Sequence, residues 1–397
     1  TGTATNNTDY STAFSSKGAS TVAGGNSNGN ALNQLHNPYG VAVDSSGNVY
    51  VADHSNARIM KWAPGATEGV SIISGNINPW GIHVDDSGNI YVSDHNRHRV
   101  LKYTLSAGSY TQSVVAGDSG GSSGSALNRL NYPTGIHVDG SNIYIADTNN
   151  HRVLKWPEGA SQGVVVAGGN NNGTALNQLS SPRGVTVDSL ENVYVADSDG
   201  NRIIKWAPNS NQGVDMFGYF QQPRGIKLDS KDNFYVSYYY NQTVEKFQPQ
   251  LDGTYLRISL SSDFNNGSLN RPAGIYIDKF DNVYVADRSN HRIEKLQQSP
   301  EIVIVAGSTT GEITFKSISD ISYEDNETII ITPSTSTENA TSTITDVKTL
   351  TITDDDTASS LLFSFSSPSI DENSSTDVTL TATLNEPSGK LVEIPFT

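Results

Sequence analysis

The side chains of this chain with chemistry to offer are eight histidines and 41 acidic residues, set against 25 lysines and arginines and no cysteine. Five of the histidines keep a fixed setting. His98, His151 and His291 each precede an arginine, in "NRHRV", "NNHRV" and "SNHRI", while His83 and His137 share "GIHVD". An imidazole can ligate a metal or move a proton near neutral pH. Recurrence at matched positions is instead what packing demands of every copy of a repeat, and the structural role is the one expected for all five. The missing cysteines exclude disulfides, thiolate metal sites and cysteine nucleophiles. No Gly-x-Ser-x-Gly elbow or phosphate-cradling loop is present, so no catalytic residue is assigned.

The elements that must carry these residues are strands. One pattern returns six times: Pro, any residue, Gly, an apolar strand ending in Asp, then Asn-apolar-Tyr-apolar. Its copies open at Pro38, Pro79, Pro133, Pro182, Pro223 and Pro272, at intervals of 41, 54, 49, 41 and 49 residues. "GVAVD" and "NVYVAD" alternate or run apolar, as strands buried between neighbouring sheets should. Links such as "DSSGN" and "DSKDN" carry turn residues. Third strands follow in "RIMKW" and its counterparts, and fourth strands in "VSIISG", "QSVVAG" and "GVVVAGG". Four antiparallel strands per copy make a blade, and a ring of blades leaves few edges exposed. Two further segments, at 20–25 and 302–307, both read as a fourth strand; one is expected to close the ring and the other to add at an edge. Four related loops, among them "GNSNGNALNQL" and "GGNNNGTALNQL", are expected to pack a leucine inward while their asparagines bond backbone.

The repeats resemble the NHL family, on "SNHRI", "NNHRV" and "NRHRV" within the six copies, over residues 18–308. The resemblance implies an all-β, six-bladed propeller. The fifth copy departs, with "SYYYNQTVEK" in place of the Asp-x-x-Asn-x-Arg pattern, so an altered outer turn is expected there. A related propeller, the peptidylglycine amidating lyase, carries zinc-binding histidines directly after the blade-opening Pro. The matching residues here are Tyr39, Trp80, Thr134, Arg183, Arg224 and Ala273, none a histidine. The zinc centre is not carried over, and a non-enzymatic propeller is expected. The recurring Asp44, Asp85, Asp139, Asp188, Asp229 and Asp278 are expected to form turns. Tyr39, Trp80, Arg183 and Arg224 are placed at the channel mouth, where an aromatic and cationic surface suits a glycan or a peptide end.

Charge divides the chain. Residues 1–310 hold 22 basic and 26 acidic side chains, and residues 311–397 hold 3 and 15. An acidic balance disfavours a nucleic-acid partner, and no apolar run approaches the ~20 residues that span a bilayer. Beyond the repeats the text resembles the Calx-β module, an immunoglobulin-like sandwich. "SDISYEDNETI" and "LTITDDD" match its second half, in residues 309–357. "LLFSFSSPSIDENSSTDVTLTATLNEPSGKLVEIPFT" matches its first half, in residues 358–397, and "GTATNNTDY", in residues 1–17, matches the strand that follows "IPFT". The expectation is a sandwich split by the propeller plus a further half-sandwich, in one unit of a tandem array whose neighbouring copies join head to tail or by strand complementation. The resemblance implies calcium as a cofactor. Its ligands would be Asp320, Glu324 and Glu327 at the acidic turn, Asp354, Asp355 and Asp356 at the strand end, and Glu372. Calcium wants six to eight hard oxygens, and Ser319 stands where the family has another aspartate.

The function expected from these resemblances is a repetitive adhesin or filament unit, extracellular and on a bacterial surface, with calcium-stiffened sandwiches as a rod and propellers as projecting binding or spacing modules. A glycan- or peptide-recognition propeller on a sandwich support is the alternative. A propeller hydrolase or lyase comes third.

Overall fold

The computed structural model divides the chain into two units, residues 18–297 and a second made of 1–17 with 298–397. The structure describes residues 19–216, 218, 221–250, 254–260, 264 and 268–297 in full, and the backbone of seven strands between 301 and 395.

The first unit is a six-bladed β-propeller of four-stranded antiparallel sheets. Blade 1 runs from the channel outward through Pro38–Val43, Val49–Asp53, Arg58–Trp62 and Val70–Ser74. Blades 2 to 5 repeat this order over 79–117, 133–168, 182–215 and 223–259. Burial explains the strand types. The second strand, "VYVAD" in blade 1, is buried throughout because both faces lie against neighbouring blades, whereas the outermost strand has an exposed side. The apolar clusters accordingly sit between blades: Val41, Val51, Met60 and Trp62 of blade 1 pack against Tyr284, Ala286 and Ile293 of blade 6. Each such side chain contributes about 1.5–3 kcal/mol by leaving water.

Closure is made by the N-terminal strand. Ala19–Gly24 pairs antiparallel with Arg292–Leu296, completing the sixth blade beside Val283–Asp287 and Ile275–Ile277. Of the two candidate closing strands, the earlier one therefore seals the ring. Glu301–Ile304 pairs with Val392–Pro395 in the other unit.

The Pro-x-Gly signature has a steric cause. A Cβ on Gly40 would lie 2.4 Å from the Trp80 carbonyl oxygen, and on Gly135 2.4 Å from that of Arg183. The pattern passes from each blade to the next and closes with Gly274, 2.6 Å from the Tyr39 oxygen on the same measure. Innermost strands approach so closely that only glycine fits.

Two sets of aspartates recur through the blades. Asp44, at the end of the first strand, accepts from the Ser46 and Asn48 backbone N–H groups at 3.0 and 2.9 Å, and from the Tyr50 hydroxyl at 3.0 Å. Asp85, Asp188, Asp229 and Asp278 hold their turns in the same way. Blade 3 differs, turning directly from Asp139 to Asn142 through Gly140 at φ 54°. The second set ends the second strand. Asp53 is fully buried and accepts from Arg58 Nε at 2.7 Å, Asn56 Nδ2 at 2.8 Å and the His36 N–H at 2.7 Å. Arg58 in turn donates to the carbonyls of Asn30, Ala31 and Gln34, tying the long loop that enters the blade. The Asp-x-x-Asn-x-Arg pattern is thus a staple between loop and blade. Blade 5 lacks it, with buried Tyr238 in the aspartate's place and Thr243 in the arginine's. Leu35, Leu130, Leu179 and Leu269 anchor the loops inward, and Asn26 and Asn170 bond loop carbonyls.

In the second unit, one five-stranded sheet has the order Thr310–Phe315, Val378–Leu384, Ala358–Phe365, Thr349–Thr353, Thr341–Thr345, all antiparallel.

Candidate functional site

The innermost strands line a central channel of about 560 Å³ of empty space, open solvent included, and its wall carries Tyr39, Trp80, Arg183, Arg224 and Lys227 but no carboxylate. The four mouth residues expected from sequence are brought together at one end. Each follows a blade-opening proline, so the closed ring converts one repeat position into a circle of side chains. Tyr39 stacks on Trp80 with centroids 3.7 Å apart, and Trp80 meets the His95 ring at 4.4 Å. The aromatic faces of Tyr39 and Trp80 are therefore partly spent on one another. Rings with free area stand at the rim, where Tyr132 and Tyr240 are 37% and 57% exposed.

A second circle joins the first at the same mouth. It is formed by the residue directly after the second strand, which ends in aspartate in every blade but the fifth: His54, His95, Thr148, Ser198, Tyr239 and Arg288. Several of these reach the carbonyl of the next blade's proline. His54 Nδ1 lies 3.1 Å from the Pro79 oxygen, His95 Nδ1 3.0 Å from that of Pro133, and Thr148 donates to Pro182 at 2.8 Å. A carbonyl accepts only, so both imidazoles carry their proton on Nδ1. Burial favours the neutral form, lowering the His54 pKa and bringing His95 down to about 4. Sequence reasoning missed this circle; its signal was the matched position after each second strand, where residue type varies as it does after the proline.

Three guanidiniums converge here. Arg224 lies 3.7 Å over the Tyr239 ring, Arg288 4.8 Å over Tyr39, and Arg183 5.5 Å over Trp80. Such cation–π contacts compensate lost hydration only in part. The Nε atoms of Arg183, Arg224 and Arg288 are buried and hydrogen-bond to nothing. Burial lowers the Arg183 pKa against the opposing charge of Asp199, and burial together with the charge of Arg183 brings Arg224 down to about 10. Desolvated cations with unused donors are what an oxyanion fits.

The other recurring histidines work as joints. Each sits in the left-handed region at the end of a one-turn helix, and its Nδ1 accepts an N–H from the next blade: Tyr132 to His98, Ser181 to His151, Asn37 to His291, at 3.0–3.1 Å. Asp320, Glu324, Glu327, Asp354, Asp355, Asp356 and Glu372, the expected calcium ligands, lie outside the described residues. Among the described residues, no group of three or more His, Cys, Asp or Glu is placed to hold a metal, and no helix is long and apolar enough to cross a membrane.

Comparison with known proteins agrees with this architecture. The family model described as NHL repeat matches residues 35–62, 77–103, 130–156, 179–206 and 269–296. The chain carries NHL repeats in a six-bladed propeller, and the copy left unmatched is blade 5, which lacks the aspartate–arginine staple. No curated protein matches. Among solved structures, a protein of unknown function from Bacteroides thetaiotaomicron is similar at 17% identity and TM-score 0.57, covering 70% of this chain and 74% of that one. A gluconolactonase from Xanthomonas campestris is similar at 16% identity and TM-score 0.52, covering 67% and 88%. A streptogramin B lyase is similar at 13% identity and TM-score 0.48, covering 70% and 96%. The gluconolactonase likeness corrects one expectation. A non-enzymatic propeller was inferred from the missing zinc histidines, yet the fold is shared with an enzyme. One fold hosts many different sites, so the lack of one metal set on this chain does not by itself argue against activity.

Proposed function

We propose that the propeller recognises a carboxylated sugar at its channel mouth. The observation that carries this reading is the convergence of Arg183, Arg224 and Arg288, whose buried Nε donors are unused; the first two line a channel wall without a carboxylate, with Asp199 acting on Arg183 from outside that lining. A carboxylate there would take up to two donors from one guanidinium and relieve the repulsion between Arg183 and Arg224. The exposed rim rings of Tyr132 and Tyr240 supply apolar area for the face of a sugar.

The propeller's support, in this reading, is the Calx-β sandwich that the flanking text resembles, and the whole acts as an extracellular, surface-exposed repeat of an adhesin or filament. In favour of the sandwich, the two half-module texts share one sheet, Ala358–Phe365 pairing with both Thr349–Thr353 and Val378–Leu384.

Calorimetric titration of the intact chain with oligogalacturonate, against the methyl-esterified oligomer and a peptide with a free C-terminus, tests the recognition. Binding of the acid form only, weakened at least about tenfold by Arg224→Met and by salt, is expected. Equal binding of acid and ester, or none of the acid, overturns the reading; preference for the peptide reassigns the carboxylate to a chain terminus.

A further inference from the structure

Past the mouth, the fifth position of each innermost strand forms another circle: Ala42, His83, His137, Thr186, Lys227 and Tyr276. Lys227 rises from blade 5 and brings its Nζ to 3.5 Å from His137 Nδ1 of blade 3, on the far side of blade 4. Thr186 Oγ1 of blade 4 lies 3.5 Å from the same nitrogen. The amine thus stands inside the channel beside the His137 imidazole, which the Thr186 hydroxyl also approaches, and its charge bears on His83. Among the described residues no carboxylate bears on it, and Asp85 acts on the neighbouring His83. A buried ammonium without a counter-charge is costly, and the cost falls when the amine gives up its proton.

We propose that Lys227 is a carbonyl-reactive amine, a covalent docking site for short aldehydes that enter the channel. The neutral amine adds to the aldehyde carbon, and one N–H proton is relayed through His137 Nδ1 to the alkoxide oxygen, giving the carbinolamine. The nitrogen lone pair then expels the hydroxyl, which takes up the second N–H proton and leaves as water, and an imine to Lys227 remains. Aldehyde and amine therefore give imine and one water, with no oxidant or reductant. The environment supports the neutral form: burial brings the Lys227 pKa down to about 8, lowers His83 to about 3 and holds His137 well below its usual value, so both imidazoles rest uncharged beside the amine. Lysines activated by desolvation or a neighbouring cation are known nucleophiles of this kind.

The test is competitive reductive methylation of the intact chain with limiting labelled formaldehyde and cyanoborohydride, read lysine by lysine by peptide mass spectrometry. At pH 7, Lys227 is expected to react at least about tenfold faster than exposed Lys231 and Lys279, because a far larger fraction of it is neutral. The excess should vanish in urea, where the channel is gone, and shrink near pH 10.5, where about half of each exposed amine is also neutral. His137→Asn should slow Lys227 without changing Lys231. Labelling of Lys227 at the rate of exposed lysines or below it, in folded protein at pH 7, overturns the proposal.

Discussion

The staple between Asp53 and Arg58 sets up a sharp energetic test, because the protein contains its own control. Both side chains are buried, at 0% and 7% exposure, and joined at 2.7 Å. Asp53→Ala leaves a guanidinium buried beside three carbonyls, and also removes the acceptor of the His36 N–H and the Asn56 amide. Breaking a buried pair from one side costs about 3–5 kcal/mol, because the surviving charge is uncompensated. Arg58→Ala strands the carboxylate and three loop carbonyls and should cost a similar amount. Blade 5 shows how a blade closes without the pair, using Tyr238 and Thr243 at the matching positions. Transplanting that solution as Asp53→Tyr with Arg58→Thr should therefore cost at least about 2 kcal/mol less than the two single alanine changes summed, within the range of coupled neighbours. Arg99 offers a graded comparison: it reaches Asp94 at 3.1 Å and a single further carbonyl, Ser119, so Arg99→Ala should cost less than Arg58→Ala. Urea unfolding followed by the fluorescence of Trp62, Trp156 and Trp206, each buried between blades, reads all of these. Singles costing under about 1 kcal/mol, or a cycle additive to within about 0.5 kcal/mol, would refute the staple as an energetic unit.

Other outcomes follow from the same structure. His83 is held neutral, with its pKa down at about 3, so its share of stability is complete above the unfolded value of 6.5 and is lost as pH falls. By pH 5 that loss reaches about 2 kcal/mol at most. Asp197, raised to about 6 by burial, acts with the opposite sign, losing its share as pH rises. The readout is therefore the gap between wild type and His83→Asn, which should narrow from pH 8 to pH 5; a constant gap contradicts the assignment. Gly135→Ala should destabilise by about 1–3 kcal/mol or more, since its new Cβ meets a main-chain oxygen that cannot swing away; an unchanged urea midpoint argues against the glycine ring. Separately, from the Calx-β resemblance alone, we propose that calcium binds the acidic strand end: titrated into the intact chain it should release heat that Asp354→Asn with Asp356→Asn abolishes, and heat that persists unaltered in the double variant overturns this placement.

Much of the propeller was legible in the text because a repeat must solve one packing problem six times. Pro-x-Gly, the paired aspartates and the arginine recur at matched positions, and each recurrence is a local demand: a strand start, a close approach, a turn, a staple. The mouth residues after each proline were legible for the same reason. The circle of His54, His95, Tyr239 and Arg288 was not, because its members share a position but no residue type, and only the closed ring shows that this position faces the same opening. The non-enzymatic expectation failed for a related reason: it tested one set of ligands on a rim whose chemistry is free to change.

The amino-acid order by itself determined the blades, their number, their four strands and the turns between them, since these depend on side-chain period and on contacts within some 50 residues. Three things belonged to the tertiary structure. It chose Ala19–Gly24 as the closing strand, a pairing with Arg292–Leu296 across the whole propeller. It laid Tyr39 against Trp80 and so consumed the ring faces that sequence had offered to a ligand. It also carried Lys227 past blade 4 to His137, a meeting of residues 90 positions apart that no period within one blade contains. Distances across a channel depend on how many blades close it and how tightly they pack, and those are properties of the ring.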